Sequence, residues 1–302
     1  MPRQRSALPA GLRDSSFTTA EATALGVGSK RLRGGDLVTP IRGTRLTREA
    51  DGLIARCRAY ALHRRVDFAF SHATAASLYG VPLPRTDDRI HVSVRAPGRA
   101  PDIRGHVGHK LSRWETRTVH GLPVTTPEQT WLDLAQLFPR DALVVAGDFF
   151  VGGDAPLTDR IALARAIAAS PGRRGIGRAR EAIHSIRHGA ESPGESRLRL
   201  LLADAGLPVP LLNHELRDAS GGFVARIDLA YEHARVALEY EGDIHRVDRR
   251  VWQKDIRRRE RVEDLGWRMV RVTADDLHTP AVLVHRVRKL IEGHANAPTR
   301  GF

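Results

Sequence analysis

The sequence contains a single cysteine, Cys57, among 302 residues. One cysteine excludes an intramolecular disulfide and any zinc site built from several thiolates. Lysine is also scarce, with four lysines among the 48 basic residues, so the formal net charge of +13 comes mostly from arginine. No apolar run approaches the ~18 residues of a membrane helix, and the basic N-terminus lacks the apolar core of a signal peptide. We therefore expect a soluble, most simply cytoplasmic, protein without a membrane partner.

The arginine excess favours a polyanionic partner, of which DNA is the obvious example. Guanidinium groups make bidentate contacts with phosphates and with guanine, and a strongly basic surface attracts nucleic acid. An arginine-rich proteome is the alternative explanation, because it makes proteins basic whatever their function. The length of the chain allows two or three domains with cores of their own.

Residues 17–48 have the pattern of a small winged helix-turn-helix. Thr19 is placed to cap a helix that ends at Gly26, and Ser29 to cap a second, basic helix. A strand and an Arg42-Gly43 turn would complete the wing. Winged-helix proteins place such a basic helix and hairpin tip on DNA, although a basic helical cap without groove contacts would give the same pattern. The expected DNA contacts here are Lys30, Arg31, Arg33, Arg42 and Arg45.

The next part of the chain predicts a mixed α/β domain. "SHATAASLYG" is typical of a helix, "IHVSV" of a strand, and "GLPVTTPEQTWLDLA" of a strand, a turn and a helix. In this order, after a winged helix, the motifs resemble the antitoxins of abortive-infection toxin–antitoxin pairs, over roughly residues 15–150. The resemblance implies operator binding, and it adds a toxin to the candidate partners.

Four histidines of this region, at positions 91, 106, 109 and 120, are candidate metal ligands by residue type. They have no cysteine partner, and none of them forms an i, i+4 pair on a helix. We expect these side chains to be solvated or hydrogen-bonded rather than bound to a metal.

The C-terminal part predicts a further domain in which helices flank a sheet. Its apolar patterns give helix, three strands, long helix, strand and helix. The expected bounds are 194–205, 211–217, 223–231, 235–241, 246–265, 267–273 and 280–292.

Acidic side chains are concentrated in the segment "RIDLAYEHARVALEYEGDIHR". If "EHAR" is the turn that pairs Tyr231 with Val236, strand alternation places Asp228 directly opposite Glu239. Their Cβ atoms would then lie about 5 Å apart on one face. Two ionised carboxylates at that separation repel each other, so one is protonated or a cation such as Mg²⁺ lies between them.

Glu195 is a third acid that the pattern directs at the same sheet. It precedes the apolar stripe of its helix on the same side, so its carboxylate is expected to face the strands. The run "SPGE" that ends at Glu195 also fits a capping box with Ser192 at the cap. The two roles are compatible with one side chain.

An acid on a helix, an aspartate on one strand and a glutamate on the next is the order of the PD-(D/E)XK nucleases. "SPGESRLRLLLADAGLPVP", the acidic segment and "RRRERVEDLGWRMVRVTADDL" resemble nuclease-like domains related to very-short-patch-repair endonucleases, over about residues 191–278. The resemblance implies a restriction-endonuclease-like α/β/α fold with a central mixed sheet and a phosphodiesterase site that uses Mg²⁺ or Mn²⁺. It also implies that the metal ligands are Asp228, Glu239 and Glu195.

One position departs from the family pattern, since Glu241 stands where the nucleases have a lysine. That lysine would orient the attacking water and neutralise the transition state. Glu241 is instead a candidate metal ligand, with His245, Lys254 or an arginine as the positive partner. Arg246 and Lys254 are expected to contact DNA phosphates. The expected catalytic set is Glu195, Asp228, Glu239, Glu241 and His245.

The sequence thus predicts an α+β multidomain protein. Its expected parts are a winged helix at 1–50, an antitoxin-like α/β domain with a helical connector at 51–190, an endonuclease-like domain at 191–292 and a flexible tail at 293–302. The expected function is that of a DNA-binding, metal-dependent endonuclease in defence or DNA repair. The alternative is an antitoxin-like transcriptional regulator with a degenerate nuclease domain. A homodimer and a toxin partner remain open.

Overall fold

The structure, a computed structural model, describes residues 6–64, 67–85, 88–242 and 249–295, with the backbone alone at 249–255 and 294–295. The chain divides into two compact units, Met1–Leu137 and Phe138–Phe302. Both contain helices and strands, which confirms the predicted α+β class. Among the described helices, none has the length and apolar character needed to cross a membrane. The three-domain boundaries stay a prediction.

The elements of the first unit follow in chain order. Its helices are α1 (Thr19–Ala24), α2 (Leu53–His63), α3 (His72–Tyr79) and α4 (Pro127–Leu134). Its strands are β1 (Phe17–Thr18), β2 (Leu37–Val38), β3 (Thr44–Thr47), β4 (Phe68–Phe70), β5 (Ile90–Arg95), β6 (His106–Leu111), β7 (Thr116–Val119) and β8 (Leu122–Thr125). Short 3-10 segments lie at Ala10–Leu12 and Arg31–Arg33.

The second unit continues the same numbering. Its helices are α5 (Arg140–Val151), α6 (Arg160–Ala168), α7 (Ile176–Ile183), α8 (Pro193–Asp204), α9 (Arg249–Asp264), α10 (Ala274–His278) and α11 (Pro280–Ala295). Its strands are β9 (Leu211–Arg217), β10 (Phe223–Tyr231), β11 (Val236–Tyr240) and β12 (Arg268–Val272), and a 3-10 turn lies at Glu232–Ala234.

The N-terminal segment forms a small sheet of order β1-β3-β2 beside α1. The helix is capped by Thr18 rather than Thr19, because the Thr18 hydroxyl accepts from the Glu21 N–H (3.1 Å) and the Glu21 carboxylate accepts from the Thr18 N–H (2.7 Å). The predicted second helix is only the 3-10 turn Arg31–Arg33. Glycines on both sides of this turn leave too few residues for an α-helix of useful length.

A larger sheet follows in the same unit, with the order β6-β5-β4-β8-β7. Helix α3 ends at Gly80, whose φ of 85° is the left-handed conformation that glycine adopts without strain. Buried aromatic and aliphatic side chains form the core between the helices and this sheet, among them Tyr60, Phe70 and Val92. The predicted helix, strand, and strand–turn–helix are all present as α3, β5, and β8–α4.

The second unit is organised around a mixed sheet of order β12-β11-β10-β9, in which β12 runs parallel to β11. On one face, Leu198 of α8 and Leu283 of α11 pack in a cluster that contains Leu238. On the other face, Val262 of α9 packs in a cluster that contains Ala237. The sheet therefore lies between two helical layers, as the sequence predicts for this region.

A buried ion pair fixes α8 to α5. Arg199 Nη2 lies 2.7 Å from Asp148 Oδ2, and the two side chains are only 3% and 2% exposed. The Asp148 carboxylate also accepts from the Ser196 hydroxyl (2.7 Å) and the Arg187 N–H (2.8 Å). Because these three bonds all end on the Asp148 carboxylate, they hold α8 in one position, and with it Glu195 in its first turn.

Replacing one partner of this pair would leave the other charged and buried. We expect Asp148→Ala to lower the free energy of unfolding by about 3–5 kcal/mol, measured by urea denaturation. The matched control is Glu215→Ala, which breaks the exposed Arg217–Glu215 pair and should cost about 0–1 kcal/mol. Equal decreases in the free energy of unfolding of the two variants would contradict the role of the Asp148–Arg199 pair in holding α8.

Candidate active site

The hairpin between β10 and β11 sets the position of the two central acids. Tyr231 pairs with Val236 and Leu229 with Leu238, which is the register that the sequence predicts. One further step places Asp228 opposite Glu239, on the face that α9 covers. The expectation that these two carboxylates share a face is therefore met.

Asp228 is held where the ladder between β10 and β11 ends. Its Oδ2 accepts a hydrogen bond of 3.0 Å from the Tyr240 N–H, so the side chain takes a backbone donor of the neighbouring strand. Burial raises the pKa of Asp228, and the Tyr240 hydrogen bond and the charge of Arg258 act in the opposite direction. The Tyr240 N–H thus positions the carboxyl group, and burial disfavours its ionised form.

Glu239 lies between an acid and two guanidinium groups. It forms an ion pair with Arg258 of α9, and Arg271 is its registered neighbour on β12. Burial raises the pKa of Glu239, the charge of Asp228 raises it further, and Arg258 and Arg271 lower it. Two acids and two arginines therefore meet on one face of the sheet.

Glu195 has the capping role that its sequence position suggested, and its role beside Asp228 and Glu239 stays a prediction. Its N–H donates to the Ser192 hydroxyl (3.2 Å), and its Oε2 accepts from the Glu191 N–H (2.8 Å), so it takes part in capping α8. Burial raises the pKa of Glu195, and the charge of Asp228 contributes to the increase. The acid of the helix is thus electrostatically coupled to the acid of the strand.

Glu241 forms an ion pair with Arg271, with 3.0 Å between Oε1 and Nε. Its N–H donates to the Val272 carbonyl (2.8 Å), which extends the contact between β11 and β12 beyond their last paired residues. The acid in the expected lysine position therefore has a cation as its neighbour. His245 and Arg246 lie outside the described residues, and of Lys254 only the backbone, in α9, is described.

The cations predicted to contact DNA in the first unit divide into two groups. Arg31 is bound to Asp36 (3.0 and 2.6 Å) and to the Ser6 carbonyl, and Arg45 donates to the carbonyls of Leu32 and Thr44. These two guanidiniums stabilise the small sheet and its 3-10 turn. The exposed members of the predicted set are Lys30, Arg33 and Arg42.

The structure also assembles three histidines that the sequence did not bring together. The ring nitrogens of His72, His91 and His109 lie within 4.8 Å of one another. In the described part of the chain, no other three His, Cys, Asp or Glu side chains meet this distance, and the acids around Asp228 do not. Burial lowers the pKa of His109 to about 4, with a contribution from His91, so this ring is neutral near pH 7.

The sequence does not predict this cluster, because a metal motif is recognised from the spacing of its ligands within one segment of the chain. His72 comes from a helix and the other two histidines from strands, so no short motif connects them. The pairing of β5 with β6 is the signal that could have found His91 and His109, since parallel strands align residues that are far apart in sequence.

Comparison with known proteins adds relatives of this chain. No protein-family model matches it. The uncharacterized proteins Rv2248 and MT2308 of Mycobacterium tuberculosis are each 28% identical to it over 264 residues, which is 87% of this chain and 95% of theirs. The crystal structure of the RV2827C protein from Mycobacterium tuberculosis matches with a TM-score of 0.40 and 18% identity, over 68% of this chain and 84% of that one.

The raised pKa values of the acids predict how stability depends on pH. A carboxyl whose pKa is higher in the folded chain than in the unfolded chain contributes stability below its unfolded pKa of about 4, and this stability is lost as the pH rises. Asp228→Asn removes the charge and keeps an acceptor for the Tyr240 N–H. We expect it to raise the free energy of unfolding by roughly 0.5–2 kcal/mol at pH 8, and the gain to shrink toward pH 4.

The control for this measurement is Asp218→Asn in the turn between β9 and β10. Hydrogen bonds from Ser220 and Gly222 lower the pKa of Asp218, so its replacement should reduce stability near neutral pH. Chemical denaturation between pH 4 and 8 measures the free energy of unfolding of both variants. It tests whether Asp228→Asn is stabilised and Asp218→Asn destabilised at the higher pH. A loss of stability at pH 8 in Asp228→Asn would contradict the account.

Proposed function

We propose that the second unit is a metal-dependent phosphodiesterase that acts on DNA. The observation that carries the proposal is the pair of facing acids, Asp228 and Glu239, with Arg258 and Arg271 beside them. Like charges directly opposite each other on a sheet are destabilising. A purely structural role would therefore favour acid opposite base. Partly buried acids with raised pKa values and specific charged partners are typical of functional sites.

The donor set is suited to a hard divalent cation. Carboxylate oxygens are the ligands that Mg²⁺ and Mn²⁺ prefer. A cation between the two acids would offset both the burial and the charge of Asp228 that raise the pKa of Glu239. Glu195, whose carboxyl is within the electrostatic influence of Asp228, is the proposed third ligand and would have to move closer to the pair on metal binding. The bound ion would supply a Lewis acid for the phosphate and a water of lowered pKa.

In this proposal, Arg258 and Arg271 take the role that a lysine has in the PD-(D/E)XK nucleases. Arg258 and Arg271 are the cations next to Glu239, and a guanidinium binds two phosphate oxygens at once and keeps its charge at any physiological pH. Glu241 then holds Arg271 in place through their ion pair. In this arrangement the positive charge comes from Arg271 on the neighbouring strand β12, because position 241 is a glutamate rather than a lysine.

Contact with DNA by the first unit is the second part of the proposal. The proposal is supported by the small sheet, the capped α1 and the hairpin tip at Arg42-Gly43, which are some of the elements expected of a winged helix. The exposed Lys30, Arg33 and Arg42 are cations of this segment that can reach phosphates. The one-turn 3-10 segment in place of a second helix favours backbone contacts over reading of the major groove.

A cleavage assay tests the proposed activity. We expect the purified chain to nick plasmid DNA with Mg²⁺ or Mn²⁺, and Asp228→Asn to reduce the rate by at least about 10²-fold, because the variant loses a metal ligand. The same variant is expected to be more stable than the wild type at pH 8, so misfolding would not explain the loss. The matched control Asp218→Ala removes an exposed aspartate near the same sheet and should leave the rate unchanged.

Equal cleavage by wild type and Asp228→Asn would identify a contaminating nuclease and contradict the proposal. Binding of DNA without cleavage under either metal would favour the alternative, an antitoxin-like regulator. The glutamate at position 241, where the nucleases have a lysine, is the observation that supports this alternative.

The role of Arg271 has its own test. We expect Arg271→Ala to lower the cleavage rate on the order of 10²-fold, as for the loss of one donor to a developing anion, and Arg271→Lys to recover part of it. Arg268→Ala is the control on the same strand, since Arg268 belongs to the opposite face. An unchanged rate in Arg271→Ala would exclude Arg271 from the mechanism.

A further inference from the structure

We propose that His72, His91 and His109 form a second metal site, specific for a divalent transition-metal ion, of which zinc is the expected one. The site lies in the first unit, and it is independent of the proposed carboxylate site in the second. It differs from that site in ligand chemistry, because its donors are imidazole nitrogens rather than carboxylate oxygens.

The fold brings the three side chains together from three elements. His91 pairs with Val107, and Ser93 with His109, in the parallel ladder of β5 and β6. His91 and His109 are therefore diagonal neighbours on one face of the sheet. His72 begins α3, and its ring stacks on that of His109 with 3.6 Å between the ring centroids.

The nitrogen positions fit an ion of the size of zinc. Nδ1 of His91 lies 3.1 Å from Nε2 of His109. An ion bound at the usual Zn–N distance of about 2.0–2.1 Å from both atoms would make an angle of roughly 100° between them, close to tetrahedral. The nitrogens of all three rings lie within 4.8 Å of one another. Because the three rings are stacked nearly parallel, three-fold ligation requires the His72 ring to turn out of its stack on His109.

The surroundings resemble those of a metal-binding histidine. Nδ1 of His72 lies 3.1 Å from the Ser71 hydroxyl and 3.4 Å from Asp133 Oδ2. The other oxygen of Asp133 accepts from the Gln129 side chain (3.0 Å). A carboxylate that holds one nitrogen of an imidazole directs the lone pair of the other nitrogen outward, as in carboxylate–histidine–zinc arrangements. Asp133 is therefore a positioning residue of the proposed site.

Burial and backbone conformation also distinguish the cluster from surface histidines. His72 and His91 are 5% and 2% exposed, whereas His109 is only partly buried and gives access to an ion and to a water as fourth ligand. His72 has a φ of 54°. A non-glycine residue seldom adopts this conformation, and such residues are concentrated at functional sites.

A stack of neutral, hydrogen-bonded imidazoles is the competing explanation, and zinc binding separates the two. The full chain, first stripped with a chelator, is titrated with Zn²⁺ by calorimetry. We expect one equivalent per chain in addition to any binding that Asp228→Asn abolishes. Co²⁺ in place of Zn²⁺ should give the visible absorption of a tetrahedral nitrogen-ligated ion.

Variants locate the site. His109→Gln places an amide nitrogen or oxygen near the former Nε2 and preserves a hydrogen bond to His91, yet it should weaken Zn²⁺ binding at least about tenfold. Asp133→Asn should weaken it about 10–100-fold. The control His63→Gln changes an exposed histidine of the same unit and should have no effect.

Far-UV circular dichroism shows whether each variant is folded. The proposal is overturned if the folded wild type binds no Zn²⁺ beyond the Asp228-dependent site. It is also overturned if His109→Gln, when folded, binds Zn²⁺ as tightly as the wild type and gives the same Co²⁺ spectrum.

Discussion

The repulsion between Asp228 and Glu239 is the constraint on which the second unit depends. The two acids face each other across one strand pair, where burial raises the pKa of both. Two arginines from different elements, Arg258 on α9 and Arg271 on β12, partly offset this repulsion. An arrangement that costs stability is retained in proteins mainly where function requires it. In the function proposed above, that requirement is the binding of a metal ion and a phosphate.

The rest of the unit fixes the elements that bring these charges together. The buried Asp148–Arg199 pair holds α8 against α5, and thereby fixes the helix on which Glu195 lies. The parallel pairing of β11 with β12 aligns Glu239 with Arg271. Apolar clusters on both faces of the sheet hold the helical layers in place. The charged face is thus supported by two apolar clusters and one buried ion pair.

Local pattern was sufficient to predict the hairpin, its register and the order of elements in the second unit. Strand alternation and a four-residue turn are properties of adjacent residues, so they placed Asp228 opposite Glu239. The roles of Arg258 and Arg271 were not predicted individually, because they depend on which helix covers the face and on which strand adjoins β11. The glycines around Arg31–Arg33 predict the two ends of a helix, but they lie so close together that only one 3-10 turn forms.

The histidine cluster also depends on contacts between distant segments, which local sequence patterns do not predict. His72, His91 and His109 meet only because β5 pairs with β6 and α3 begins beside them. The sequence argued against a metal here from the absence of cysteines and of an i, i+4 pair. Both criteria describe sites made within one segment, whereas this cluster is assembled from three.

The central claim is that Asp228 and Glu239 hold a divalent cation, and anomalous X-ray scattering from a crystal grown with Mn²⁺ tests it most directly. The account predicts a manganese peak within about 2.0–2.6 Å of a carboxylate oxygen of each residue, with Arg258 displaced from its ion pair with Glu239. A crystal with Mn²⁺ bound elsewhere, no peak between the two carboxylates and the Arg258–Glu239 pair intact would contradict it.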